Sequence, residues 1–74
     1  MNLSGSRLRQ SNLSLTTFDN ANLSGANLSV ANLFGARFNR ANMTKANLSQ
    51  VSAVGTYFGS SNMSGANLSG ANLS

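Results

Sequence analysis

The sequence is poor in the residues that carry out chemistry. Its 74 residues contain no cysteine and no histidine, and Asp19 is the single acidic residue. Acid–base pairs, serine–histidine–aspartate triads and imidazole or carboxylate metal clusters all need these groups, and a calcium-binding β-roll needs repeated aspartates. Without cysteine there are neither disulfides nor thiolate metal sites, and nothing indicates the redox compartment. The composition therefore predicts a chain that is not an enzyme, uses no cofactor and binds no metal.

Long apolar runs and dense charge are missing as well. No apolar stretch approaches the length of a membrane span, and the N-terminus lacks the charged-then-apolar pattern of a secretory signal. We therefore expect a cytoplasmic protein without a membrane span. The net charge of +4 permits weak attraction to acidic partners. Five basic residues nevertheless fall short of the clustering that marks a nucleic-acid site, so nucleic acid is not an expected partner.

What the chain does contain is a five-residue repeat, Ala-Asn-Leu-Ser-Gly, that runs through it without an insertion. Every fifth residue from Leu3 to Leu73 is large and apolar except Ala53, and the residue two before it is usually alanine. A period of five fits neither an α-helix nor a long plain strand, and a disordered tract would lack the regular apolar column. Residues two apart point the same way in an extended chain, so each unit can form one side of a coil with its apolar residues inward. Stacked coils then bury what one coil cannot.

The bulky residues set the number of units in a coil. Two sets of them recur at intervals of twenty and define a predicted core stack: Phe18, Phe38 and Phe58, and Met43 and Met63. A four-unit coil would place each aromatic ring directly over the next. The spacing predicts an all-β fold with a square cross-section and about four coils of twenty residues. Val51 replaces the small residue in the one unit where Ala53 replaces the large one, which roughly preserves the core volume.

The repeat resembles that of the pentapeptide-repeat family, whose motif is A-(N/D)-L-x-x, and the match covers all 74 residues. The resemblance implies a right-handed quadrilateral β-helix in which the small and large residues of each unit both face inward. We expect one domain over 1–74, a pentapeptide-repeat solenoid without recognisable caps, because 1–5 and 71–74 are both regular units. Such ends indicate either a piece of a longer protein or ends that stack on other copies. Nothing matches the C-terminal helix through which family members often dimerise.

Most outward residues have a structural interpretation. Glycine recurs at the turn position, where positive φ is useful, so these glycines do not form a phosphate-binding loop. Asparagine recurs in outward columns such as Asn2, Asn22, Asn42 and Asn62. Stacked amides can hydrogen-bond along the axis, as they do in fibrillar β structures, so the sequence predicts an amide ladder.

Two groups of outward side chains stand apart from this pattern. A four-unit coil places Thr17, Arg37 and Tyr57 in one column beside Asp19 and Arg40, where Arg37 can lie across Tyr57 or pair with Asp19. On the neighbouring side, three apolar residues interrupt the polar pattern, and exposed apolar clusters mark contact surfaces. Ordinary solvated side chains are the alternative for both groups. The candidate partner surface comprises Leu15, Phe34 and Val54 together with Arg37, Arg40 and Tyr57.

These features predict a non-catalytic structural or protein-interaction scaffold, either a segment of a longer solenoid or a unit that stacks end to end. Its expected partners are proteins, or further copies bound through uncapped ends, and not small-molecule substrates. The resemblance offers an alternative, because some pentapeptide-repeat proteins mimic DNA and bind type II topoisomerases such as gyrase. Mimicking phosphates requires rows of acids, so the net charge of +4 disfavours this function. An ice-binding surface would need regular threonine arrays, whereas threonine here is sparse.

Overall fold

The computed structural model describes all residues from Met1 to Ser74 as a stack of four-sided coils, of which the fourth is incomplete. Each unit of five contributes one residue to a parallel β-ladder, and residue i pairs with residue i+20 from Asn2 with Asn22 to Ser52 with Asn72. One coil therefore takes 20 residues, as the aromatic spacing predicts. Every β element is a single bridged residue, and no helix long and apolar enough to cross a membrane is present.

We number the coils and their sides in chain order. The coils span 1–20, 21–40, 41–60 and 61–74, and the sides of the first coil span 1–5, 6–10, 11–15 and 16–20. We number the five positions of each unit, and the side chains at position one and position three face inward. Positions four and five form the corner that leads to the next side.

The backbone hydrogen bonds between successive coils follow one repeated pattern. The amide of Leu23 donates to the carbonyl of Asn42 in the next coil at 2.7 Å, and the amide of Asn42 donates back to the carbonyl of Ala21 at 2.9 Å. At the corner, the amide of Gly25 donates to the carbonyl of Thr44 at 2.9 Å. This pattern recurs on every side, so the amides at positions two, three and five of the inner coils are satisfied by the coils above and below.

The core is a narrow column of side chains in the middle coils. All 15 buried apolar residues lie between Phe18 and Ala53, and Phe38 and Met43 are fully buried among them. The inward residues before Phe18 and after Ala53 are less well covered, including Phe58 of the third coil and Met63 of the fourth. The three phenylalanines of side four form a file, with ring centroids 4.9 and 5.4 Å apart and ring planes within 9° of parallel. Hydrophobic stabilisation is therefore concentrated in the second and third coils.

Every corner passes through a residue with positive φ at position five. The amide of Ala26 donates to the carbonyl of Leu23 at 3.0 Å across such a corner, and only the second of the two central residues has positive φ. This is the pattern of a type II turn, which favours glycine at that place. Glycine occupies six of the corners, but eight others hold residues with side chains at φ values of 57° to 64°. Those eight corners carry backbone strain that the coil geometry imposes.

We predict that Val30→Gly raises the free energy of unfolding by about 0.5–1 kcal/mol. Val30 is a β-branched residue at φ 62°, where an L-residue costs roughly 1–2 kcal/mol, partly offset by the flexibility that glycine adds to the unfolded chain. The matched control is Val54→Gly, at position four, where φ is not positive. Urea unfolding of both variants checks the sign, and a loss of stability in Val30→Gly equal to that of the control would contradict corner strain.

Candidate functional site

Outward asparagines on the first three sides cap the corner that follows them. The side-chain oxygen of Asn27 accepts hydrogen bonds from the backbone amide of Ser29 at 3.0 Å and from its hydroxyl at 2.7 Å. The four asparagines of side one make the same contact with the amide two residues ahead: Asn2, Asn22, Asn42 and Asn62. The predicted amide ladder is therefore wrong for this column, because each side-chain oxygen bonds the nearby corner amide and no hydrogen bond joins the amides of successive coils. A single inter-coil amide pair occurs, from Asn32 to Asn12 at 3.4 Å.

Side four lacks these local caps, because its outward column holds Thr17, Arg37 and Tyr57. Here the caps come from the coil before. The carboxylate of Asp19 accepts a hydrogen bond from the amide of Asn39, and the side-chain oxygen of Asn39 accepts one from the amide of Gly59, both at 2.9 Å.

Glycine at the end of this series leaves room for the Asn39 side chain. A Cβ atom on Gly59 would lie only 2.8 Å from the side-chain oxygen of Asn39. Side four thus has a side-chain-to-backbone ladder along the axis, running from Asp19 through Asn39 to Gly59.

The charged residues of side four are arranged around Arg37. One terminal nitrogen of its guanidinium lies 3.3 Å from a carboxylate oxygen of Asp19 in the coil before. The central carbon of the same guanidinium lies 5.9 Å from the ring centroid of Tyr57 in the coil after. Both contacts considered from the sequence are therefore present at once. The Nε of Arg40 donates to the side-chain oxygen of Asn20 at 3.0 Å, so the positive charge of Arg40 is paired with a neutral group.

The apolar members of the candidate partner surface lie at the corner between sides three and four. Leu15 is 75% exposed and Phe34 is 51% exposed, whereas Val54 is half-buried. The amide of Leu15 donates to the carbonyl of Phe34 at 2.8 Å. The Leu15 side chain lies over Gly35, where a Cβ would approach its Cδ2 to 2.7 Å.

The two groups of the candidate partner surface are adjacent along the chain. Phe34 precedes Arg37 by three residues, and Val54 precedes Tyr57 by the same interval. Within the second group, Arg37 and Tyr57 form a bridged pair in successive coils. An exposed apolar corner thus leads directly into a cationic and aromatic side. No pocket opens on this surface, and no group of three or more histidine, cysteine or acidic residues is present.

Sequence reasoning missed Asn20 and Asn39, which hold Arg40 and Gly59 in this arrangement. A signal for Asn39 was available. Where position two is not asparagine, the corner amide has no local cap, and an aspartate or asparagine at position four of the preceding coil can supply one. Asp19 and Asn39 both fit this rule, because Arg37 and Tyr57 replace asparagine at position two of the coils that these two residues cap.

We predict that Asp19→Ala lowers the free energy of unfolding by about 1 kcal/mol, whereas Asp19→Asn changes it by less than about 0.5 kcal/mol. Asparagine retains an oxygen for the amide of Asn39 and loses only a partly exposed ion pair with Arg37. Alanine loses both contacts. Urea unfolding at low and high salt checks this ranking, and equal losses in the two variants would show that the ion pair dominates.

The family model described as pentapeptide repeats matches the chain with 8 copies, over residues 2–33, 11–50 and 41–74. No curated protein sequence matches it. Among solved structures, it is similar to a pentapeptide repeat protein from Nostoc PCC 7120, with a TM-score of 0.89 and 31% identity over 90% of this chain and 55% of that one. It is also similar to Rfr23 from the cyanobacterium Cyanothece 51142, with a TM-score of 0.81 and 33% identity over 95% of this chain and 52% of that one.

A further similar structure is HetL from Nostoc sp. strain PCC 7120, described as involved in heterocyst differentiation regulation. Its TM-score is 0.54, with 27% identity over 96% of this chain and 35% of HetL. The chain spans about half the length of the first two structures. Since the family model matches nearly every residue and the coil repeats every 20 residues, this chain belongs to the pentapeptide repeat family.

Proposed function

We propose that this chain is a non-catalytic structural and protein-interaction scaffold, a segment of right-handed quadrilateral β-helix that joins further coils through its end surfaces. The observation that carries the proposal is the incomplete burial of the end coils. Inward residues such as Leu23 and Met43 are fully buried in the middle, but Leu3 and Phe58 are half-buried and Leu73 is 53% exposed. A surface of this kind gains stability when another coil covers it.

The chemistry of the side chains supports a scaffold over an enzyme. The single carboxylate, that of Asp19, is already engaged by Arg37 and by the amide of Asn39. The serine hydroxyls have no histidine beside them, since the chain contains none. Nucleophilic and acid–base catalysis both need such partners.

The candidate partner surface supports a role in binding protein along the side of the coil. It combines exposed apolar groups, Phe34 and Leu15, with the aromatic ring of Tyr57 and the guanidinium of Arg40. Aromatic residues and arginine are the residues that carry most binding energy in protein interfaces. We propose a protein partner for this surface, in addition to the coils that cover the ends.

The proposal is tested by the mass of the purified chain as a function of concentration. Sedimentation velocity should show mass rising above the 7.7 kDa of one chain, because association covers the exposed ends. The double variant Phe34→Ser with Tyr57→Ser removes exposed groups from the side and should leave this association unchanged. A mass that stays at one chain at every concentration would contradict the proposed role of the ends. Loss of association in the side variant would show that the copies contact each other through the candidate partner surface and not through the ends.

A further inference from the structure

The second coil carries an aromatic ring and two guanidinium groups in a row across side four. Phe34 stands at the corner that leads into this side, Arg37 at its centre and Arg40 at the corner that ends it. All three side chains are exposed, and a complete coil lies both before and after the coil that holds them. Their exposure is therefore a property of an inner coil and not of an end of the stack.

Arg37 is held in place within this surface. Its guanidinium lies 3.3 Å from the carboxylate of Asp19 in the first coil and 5.9 Å from the ring centroid of Tyr57 in the third. Asp19 is the single acidic residue of the sequence, and its carboxylate also accepts a hydrogen bond from the amide of Asn39. The negative charge that 1–74 contains is thus already engaged on side four.

Arg40 keeps a positive charge with no carboxylate beside it. Its Nε donates to the neutral side-chain oxygen of Asn20 at 3.0 Å, which fixes the guanidinium through one of its three nitrogens. The two terminal nitrogens make no hydrogen bond within the chain. A guanidinium binds a carboxylate through two parallel hydrogen bonds, so a carboxylate fits this end of the surface.

Phe34 supplies the apolar part of the surface. Its side chain is 51% exposed at position four, where serine or threonine is usual. Val54 is its counterpart in the third coil, and the side chain of Leu15 from the first coil lies over Gly35 beside it. Three successive coils thus contribute apolar groups to one corner, and contact with an apolar side chain of a partner would remove them from water.

We propose that side four of the second coil binds an extended acidic segment of a partner protein, which places an apolar side chain on Phe34 and a carboxylate on Arg40. This inference rests on the proposed role of the candidate partner surface in binding protein. A second copy of 1–74 does not fit, because its one carboxylate is already held by Arg37 and the amide of Asn39. A nucleic acid is disfavoured, because its phosphates would also meet the carboxylate of Asp19 and the apolar corner.

The width of side four sets the spacing within the bound segment. Its two corners are one repeat of five residues apart, roughly 13–16 Å at an extended rise of about 3.3 Å per residue. Side chains of an extended segment face the same way only at even intervals, and four residues span about 13 Å. The expected pattern is therefore an apolar residue and an acidic residue four positions apart.

The inference is tested with four peptides of glycine and serine in NMR titrations of the isotope-labelled chain. The first peptide carries leucine and glutamate four residues apart. The others replace its glutamate with glutamine, its glutamate with lysine, or its leucine with serine. The first should bind at least about fivefold more tightly than each of the others, because each of them lacks one anchor. Its amide shifts should centre on Phe34, Arg37 and Arg40, and no shift at about 1 mM peptide would overturn the inference.

The site is tested with substitutions in the chain. Phe34→Ser and Arg40→Gln should each weaken binding of the first peptide about fivefold. Glutamine is accepted at position five, where Gln50 adopts a φ of 58°. The matched controls are Arg9→Gln, which removes the same charge from side two, and Val30→Ser, which removes an apolar side chain from another corner. Both controls should bind like the parent chain, and equal weakening by Arg9→Gln and Arg40→Gln would show that binding follows net charge and not this site.

The outcomes separate this inference from the proposed function. If the chain associates with further copies but binds none of the peptides, the inference is overturned while the proposed role of the ends stands. If the first peptide binds a chain that stays at the mass of one copy, the inference stands and the role of the ends is refuted. If a single-stranded oligonucleotide shifts the same residues and binds more tightly than the first peptide at the same salt concentration, the partner is a nucleic acid and the inference is overturned. If circular dichroism shows that a variant is unfolded, the comparison of the four peptides decides.

Discussion

Phe38→Ala should lower the free energy of unfolding by about 3–5 kcal/mol, which is a large part of the total stability expected for a domain of this size. Phe38 is fully buried and its ring is stacked on both faces, against Phe18 at 4.9 Å and Phe58 at 5.4 Å. Alanine leaves a cavity in the middle of the file and removes both stacking contacts. The cavity stays largely open, because hydrogen bonds to the coils above and below hold the backbone in place.

The matched control is Phe34→Ala, the same substitution four residues earlier in the same coil. Phe34 is 51% exposed, and a surface change of this kind is expected to alter stability by less than about 0.5 kcal/mol. Urea unfolding followed by circular dichroism gives both values, at one protein concentration because association would add to apparent stability. Similar losses for the two variants would mean that the aromatic file does not hold the coils together.

The second large effect is expected where the repeat exchanges its small and large residues. Val51 and Ala53 are each 2% exposed and both face the interior of side three. Ala53→Leu alone should cost about 1–3 kcal/mol, because the larger side chain enters a space already filled beside Val51. Val51→Ala alone should cost about 1–3 kcal/mol through lost burial and a residual cavity.

The double variant, Val51→Ala with Ala53→Leu, restores the regular Ala-x-Leu unit and should lie within about 1 kcal/mol of the parent chain. The two substitutions therefore couple strongly, which a double-mutant cycle of unfolding free energies measures. If the losses simply add, the two residues do not share one packing space, and the apparent exchange in the sequence has no structural basis.

The ladder of side four shows why part of the site escaped prediction. Phe18, Phe38 and Phe58 could be placed from their spacing alone, because an inward position lies against the same position of the coils twenty residues before and after it. Outward positions have more freedom. The side-chain oxygen of an asparagine can accept from a backbone amide nearby in the chain, from a stacked side-chain amide or from a backbone amide of a neighbouring coil. Residue type alone does not distinguish these three donors. In the structure, the positions of the backbone amides decide that Asn22 bonds locally whereas Asn39 bonds along the axis.

The corners show the same division. The sequence indicates positive φ where glycine stands, as at Gly25, but gives no such sign at Val30 or Leu15, which adopt nearly the same φ. Coil closure forces these residues into a conformation that their own preferences oppose, because one deviating corner would break the register of every coil that follows. At these corners the geometry of the stacked coils overrides the local φ preference of the residue.

By itself, the order of residues in this chain determined the period, the inward columns and the absence of catalytic groups, since each depends on residue type and spacing alone. Tertiary structure decided the rest. It placed Arg37 between Asp19 and Tyr57, and it decided which backbone amide each asparagine side chain bonds. These features depend on which atoms meet across twenty residues of chain, and short-range sequence patterns do not encode the directions of those hydrogen bonds.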